Sequence, residues 1–146
     1  MSAHLFIAED ESPIVTLLKY NLEKEGHKVS YSENGEDALK QIKDKHPDLI
    51  LMDWMLPDLS GVDICKNLKK DKKFKDIPII MVTAKGEEED KLKAFDTGAD
   101  DYVTKPFSQK ELNARIKSLL RRSKPQSSED VVIFDDLKID RITKRV

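Results

Sequence analysis

The chain holds a single cysteine, Cys65, in 146 residues, which excludes an internal disulfide framework and any zinc site built from several thiolates. Its three histidines, His4, His27 and His46, stand apart from one another, so a histidine-rich metal site is not expected. No apolar run approaches the ~18 residues a membrane helix requires, and the amino terminus lacks the basic-then-apolar pattern of a signal peptide. Charge of one sign is missing as well. The 26 basic residues face 28 acidic ones, a formal balance of -2, which excludes a chain basic throughout for gripping nucleic acid. What remains is a sequence 37% charged and 38% apolar, the balance of a globular protein with a highly charged surface. Its length suits one domain, with a short piece of a second. A cytoplasmic protein without a membrane partner is expected.

Four short apolar runs punctuate the chain: Leu5-Phe6-Ile7-Ala8, Leu49-Ile50-Leu51-Met52, Ile79-Ile80-Met81-Val82 and the weaker Tyr102-Val103. They are continuous rather than alternating, as in strands covered by helices on both faces. Val29-Ser30-Tyr31 is a fifth, more amphipathic candidate. Helical spacing fills the intervals: Ile14, Leu17, Leu18 and Leu22; Ala38, Leu39 and Ile42; Ile64, Cys65 and Leu68; Leu92 and Phe95; and Leu112, Ile116, Leu119 and Leu120. Gly26 and Gly98 fall where helices should stop, and Ser108 with Glu111 reads as a capping box. Strand and helix thus alternate five times, which predicts an α/β fold with a doubly wound, five-stranded parallel sheet.

In such a sheet, ligands bind beyond the carboxyl ends of the strands, where strand order reverses. Those ends carry Glu9-Asp10-Glu11, Asp53, Thr83-Ala84 and Thr104-Lys105-Pro106. Glu9, Asp10 and Asp53 crowd like charges, which is costly unless a cation sits among them, and all-oxygen ligands suit Mg²⁺. Asp53 is then a candidate nucleophile toward a phosphoryl group. Lys105 would neutralise charge on its oxygens, and the Thr83 hydroxyl and the Ala84 N–H would donate to them. An acidic loop after the first strand argues against a flavin or dinucleotide.

Glu9-Asp10, Asp53, Thr83-Ala84 and Lys105-Pro106 at these strand ends resemble the receiver domain of two-component response regulators. Met52-Asp53-Trp54-Met55-Leu56-Pro57, Glu87-Glu88-Glu89-Asp90 and Gly98-Ala99-Asp100-Asp101-Tyr102 resemble the OmpR/PhoB class, and within it the phosphate-regulon members. The resemblance implies strand order 2-1-3-4-5, as in flavodoxin-like folds. It makes Asp53 the phosphoacceptor, fed by a sensor histidine kinase. Asp10 would ligate Mg²⁺ directly, Glu9 through a metal-bound water, and Met55 through its backbone carbonyl. Lys105 would pair with the phosphoryl group, next to a cis bond to Pro106, and Thr83 with Tyr102 would form the switch pair. Activation would drive a homodimer through Lys91, Asp100, Asp101, Glu111, Arg115 and Arg122, with Lys91–Glu111, Asp101–Arg115 and Asp100–Arg122 crossing the interface.

The receiver domain is expected over residues 1–122, a linker over 123–130, and over 131–146 the truncated start of a winged-helix DNA-binding domain. DNA binding would belong to a longer parent, since no recognition helix follows. Two rivals stand beside this reading. A Mg²⁺-dependent phosphohydrolase wants an acid two residues past its nucleophile, and that position is Met55, which can neither donate a proton nor activate water. A stand-alone phosphocarrier would need no output domain, whereas the Phe134-to-Asp140 pattern argues for one. With Met55 and Lys85 flanking the path of an attacking water, slow self-dephosphorylation is expected. Trp54, the sole tryptophan, reads equally as a partly exposed loop aromatic or as a reporter of the site.

Overall fold

The computed structural model describes residues 3–83, 98–105 and 107–123. The five apolar runs are strands: β1 (His4–Ala8), β2 (Lys28–Ser32), β3 (Leu49–Asp53), β4 (Ile79–Thr83) and β5 (Asp101–Thr104). They pair in parallel in the order β2-β1-β3-β4-β5. Among the described residues, four helices accompany them: α1 (Ser12–Lys24), α2 (Gly35–Lys45), α3 (Gly61–Lys70) and α4 (Gln109–Ser123). The helix expected around Leu92 and Phe95 lies outside the described residues, as do 124–130 and 131–146. Ser123, expected to open a linker, instead closes α4.

The unbroken apolar runs follow from the two-sided packing. Successive side chains of a strand point to opposite faces, so Phe6, Ala8, Ile50, Met52, Ile79 and Met81 meet Ala38 and Ile42 of α2 and Ile64, Cys65 and Leu68 of α3. Their neighbours Leu5, Ile7, Leu49, Leu51, Ile80, Val82 and Val103 meet Leu18 and Leu22 of α1 and Leu112, Ile116, Leu119 and Leu120 of α4. Each fully buried aliphatic or aromatic side chain contributes roughly 1.5–3 kcal/mol. β3 and β4 are buried at every position, and their only polar residues, Asp53 and Thr83, stand at the carboxyl ends.

One helix is rotated from its expected setting. Val15, Leu18 and Leu22 are the buried residues of α1, whereas Leu17 is 58% exposed. Leu17 sits about 100° round the helix from Leu18, and the stripe that meets the sheet runs through Val15 instead. Helix ends follow local chemistry. The Asn34 side chain accepts from the Asp37 N–H at 2.8 Å at the start of α2, and Ser60 Oγ accepts from the Asp63 N–H at 3.2 Å at the start of α3. Ser108 Oγ accepts from the Glu111 N–H at 3.1 Å at the start of α4. Gly26 has φ +94°, the left-handed turn that stops α1.

Candidate functional site

The strand order reverses between β1 and β3, and the acidic residues collect at the carboxyl ends of these two strands. Glu9 directly follows β1 and is buried, Asp10 is exposed beside it, and Asp53 ends β3, buried. One carboxylate oxygen from each of the three lies within 4.8 Å of the others. Lys105, just past β5, is drawn over them because its backbone N–H donates to the Thr83 carbonyl at 2.7 Å. Its Nζ stands 3.0 Å from Glu9 Oε1 and 3.8 Å from Asp53 Oδ2. Thr83 ends β4, buried, in register with Thr104. The expected acids, lysine and threonine are thus brought to one rim.

The electrostatics are those of a site short of positive charge. Burial, and next the charge of Glu9, push the Asp53 carboxyl up to about 7, against the pull of Lys105 and of the Met55 N–H, which donates to Asp53 Oδ1 at 3.2 Å. Burial pulls the Lys105 ammonium down, but its hydrogen bond to Glu9 and the charges of Asp53, Glu9 and Glu11 outweigh that and raise it. One lysine therefore serves two buried acids, and closer to Glu9. Hard oxygen donors, a like-charge excess and an exposed flank at Asp10 fit a divalent cation such as Mg²⁺.

The segment after Asp53 is pinned at several points. The Trp54 N–H donates to the Val82 carbonyl at 3.0 Å, and the Trp54 carbonyl accepts from the Gly61 N–H at 3.0 Å. A Cβ on Gly61 would overlap the Asp53 carbonyl oxygen and stand 2.9 Å from Met52 Cγ. The Trp54 ring is buried in the core with Leu56, not partly exposed in a loop. Met55 points outward, 60% exposed. Tyr102 is half-buried and packs on the same cluster as Trp54. Ala84, Lys85, Lys91 and Pro106 lie outside the described residues.

Of the residues expected at a dimer interface, several find partners within the chain. Arg115 Nη1 reaches both Asp101 carboxylate oxygens at 2.7 Å, and its Nη2 reaches Glu111 at 3.1 Å. Asp100 accepts from the Ile79 N–H at 2.8 Å and from Lys69 Nζ at 3.1 Å, while Lys69 Nζ also donates to the Lys75 and Ile77 carbonyls. Asp100 and Arg122 line one cavity of about 320 Å³. Sequence reasoning did not foresee this Lys69–Asp100 clasp, nor that Asp58 accepts from the Gly35 and Glu36 N–H groups at 2.6 and 3.1 Å. Both join residues more than twenty positions apart through polar side chains, which leave no periodicity to read.

A five-stranded parallel α/β sheet with an acid cluster and a lysine at its switch point defines the class. The chain belongs to the response regulator receiver domain family, whose profile matches residues 5–117. It is 44% identical over 146 residues to the phosphate regulon transcriptional regulatory protein PhoB of Escherichia coli (strain K12), covering 100% of this chain and 64% of that protein. It is also 46% identical over 148 residues to the alkaline phosphatase synthesis transcriptional regulatory protein PhoP of Bacillus subtilis (strain 168), covering 95% of this chain and 61% of that one. The chain therefore spans less than two thirds of the length of these curated relatives. Among solved structures, the Francisella response regulator 1452 receiver domain matches with TM-score 0.79 and 34% identity, over 84% of this chain and 99% of that one. The expected strand order 2-1-3-4-5 is the one observed. Receiver domains bind Mg²⁺ at an acidic pocket, and Glu9, Asp10 and Asp53 form such a cluster here. A receiver domain is a signalling module rather than a turnover enzyme. Among the described residues, no helix is long and apolar enough to cross a membrane.

Proposed function

We propose that this chain is the phosphoryl-accepting switch of a response regulator, with Asp53 as the phosphoacceptor. The observation that carries the reading is the buried Asp53 carboxylate within 4.8 Å of Glu9 and Asp10, with Lys105 Nζ 3.8 Å away. Asp53 Oδ attacks phosphorus, and the bond from phosphorus to the histidine nitrogen of a sensor kinase, or to the oxygen of a small acyl phosphate, breaks. The leaving imidazole or carboxylate departs with the electron pair. Glu9, Asp10, Asp53 and the Met55 carbonyl would hold Mg²⁺, which when bound supplies positive charge to the phosphoryl oxygens. Lys105 can give up part of its pairing with Glu9 to meet the new dianion. Thr83 donates its hydroxyl to a phosphoryl oxygen, and the Ala84 N–H to another. Movement of Thr83 draws Tyr102 inward, which carries the signal to β5 and α4.

In a longer parent, the segment after Ser123, up to residue 130, links the receiver to a winged-helix DNA-binding domain that 131–146 begin, and the output is transcriptional control. The names of the PhoB and PhoP relatives support phosphate-responsive genes as its target. The partners are a sensor histidine kinase, a second copy of the chain on activation, and DNA through the parent's output domain, in the cytoplasm. Intact-mass measurement after acetyl phosphate and Mg²⁺ treatment is expected to find one added phosphoryl group on the parent and none on Asp53→Asn. Equal labelling of both overturns the assignment.

A further inference from the structure

The amino-terminal turn of α2 supplies no ligand to the acid cluster, yet it touches both chain segments that do. On one side the Glu9 N–H donates to the Ser32 carbonyl at 3.1 Å. The Ser32 hydroxyl in turn donates to the Asp37 carboxylate in the first turn of α2 at 2.6 Å. On the other side Asp58, from the segment that follows Asp53, spans the first two N–H groups of α2. Its Oδ1 accepts from Gly35 at 2.6 Å and its Oδ2 from Glu36 at 3.1 Å. A carboxylate there is favoured by the orphan donors and the positive end of the helix dipole. Asn34 already caps the same helix through the Asp37 N–H at 2.8 Å. The helix is thus capped twice, once locally and once from 23 residues away.

The contact between the two segments is close. A Cβ on Gly35 would overlap the Leu59 carbonyl oxygen and approach Leu59 Cβ to 2.7 Å. Between Asp53 and Gly61, Trp54 and Leu56 are buried, and both ends of the span are hydrogen-bonded. Asp58 closes the remaining freedom of the span by fastening its far side to α2.

We infer that Asp58 is a positioning residue of the site: by fastening the segment after Asp53 to the α2 terminus, it sets where the Met55 carbonyl and the Asp53 carboxylate stand relative to Glu9 and Asp10. The inference rests on reading that cluster as a Mg²⁺ site. Its alternative is a helix cap of purely local effect, which would cost stability and nothing else.

Mg²⁺ titrations of the full 146-residue chain, followed by calorimetry and by Trp54 emission, separate the two, with thermal melts recorded without Mg²⁺. Asp58→Ala is expected to weaken Mg²⁺ binding about tenfold, the usual lower bound for losing a partner that orients a metal ligand. Asp58→Asn keeps one acceptor oxygen and should fall between it and the parent. Asn34→Ala removes the local cap of the same helix and should lower the melting temperature while keeping the parent's Mg²⁺ affinity. If Asp58→Ala does not fold, Asp58→Asn decides alone, and it must bind Mg²⁺ more weakly than the parent. Parental affinity in the Asp58 variants, an equal loss in Asn34→Ala, or a parent that takes up no Mg²⁺ each overturn the inference. Labelling of Asp53→Asn tests the phosphoacceptor separately, so that reading can fail while the Asp58 effect on Mg²⁺ stands.

Discussion

At Met55 the chemistry of the site depends on what a side chain cannot do. The side chain is 60% exposed two positions after Asp53, while its N–H is held on Asp53 Oδ1 at 3.2 Å. A thioether at this place cannot take a proton from water, so an acyl phosphate formed on Asp53 as proposed should persist. Met55→Glu sets a carboxylate over the same approach. The phosphorylated form is expected to decay faster, by about a hundredfold at the low end of general-base contributions. Mass spectra taken over the decay check this, and an unchanged lifetime would count against the role assigned to position 55. His27 offers a second test, remote from the site. It is buried, with Nδ1 accepting from the Ala3 N–H at 3.2 Å, and burial, helped by nearby positive charge, lowers its pKa below 6.5. The unfolded chain therefore binds the proton more tightly. Stability should be complete above about pH 6.5 and be lost as pH falls through the lower folded value. Urea denaturation over that range should show stability rising with pH, with a shallower slope in His27→Gln.

Among the elements, α3 and β3 meet at a point with no spare volume. The Gly61 N–H donates to the Trp54 carbonyl, and a Cβ on Gly61 would overlap the Asp53 carbonyl oxygen. Gly61→Ala must push α3 away from the strand end that carries Asp53. We expect a loss of about 1–3 kcal/mol in urea denaturation, together with slower acetyl phosphate labelling. A stable variant labelled at the parental rate would show that the strand end is not held by this contact. The same region marks how far the sequence could be read. Leu49 to Met52 and Ile79 to Val82 announced strands buried on both faces, and the acids and Lys105 announced themselves by standing at strand ends. The Glu9–Lys105 pair at 3.0 Å was hidden, because proximity alone does not rank two acids that compete for one lysine. Trp54 read equally as a partly exposed loop aromatic or as a reporter of the site, and its burial was not foreseen, since the turn that carries its ring inward is set by Gly61 and Val82, contacts of a folded chain. Leu17 fell on the wrong side of its helix because one apolar residue beside another fits either stripe. Asp58 had no signal at all, being one of many loop acids until the α2 terminus lies beside it.

For the whole molecule, the proposed phosphorylation of Asp53 would have to reach a second copy of the chain. β5, α4 and the residue before β5 carry Asp100, Asp101, Glu111, Arg115 and Arg122, charges of both signs that suit a self-complementary two-fold contact; Lys91, expected at the same face, lies outside the described residues. Within one protomer Arg115 is already held by Asp101 at 2.7 Å and Glu111 at 3.1 Å, and Asp100 by Lys69 at 3.1 Å. A cross-interface Asp101–Arg115 or Asp100–Arg122 pair must therefore be shared with, or taken from, an existing bond, which lowers its net worth. Exposed ion pairs contribute about 0–1 kcal/mol each even when newly made, whereas moving a balance from 1:99 to 99:1 takes ~5.5 kcal/mol. The charges thus set register and partner choice. If Thr83 and Tyr102 act as the proposed switch pair, the driving term comes from apolar surface that they reshape, Tyr102 being half-buried on the core cluster. Beryllofluoride with Mg²⁺, which mimics the aspartyl phosphate, is expected to convert monomer to dimer in sedimentation. Arg115→Ala should weaken the dimer while leaving labelling of Asp53 intact. Tyr102→Ala, which removes the apolar relay rather than a charge, should weaken it more. If activated protein stays monomeric at tens of micromolar, an order-of-magnitude working concentration for weak contacts, then signalling in this chain does not pass through this face.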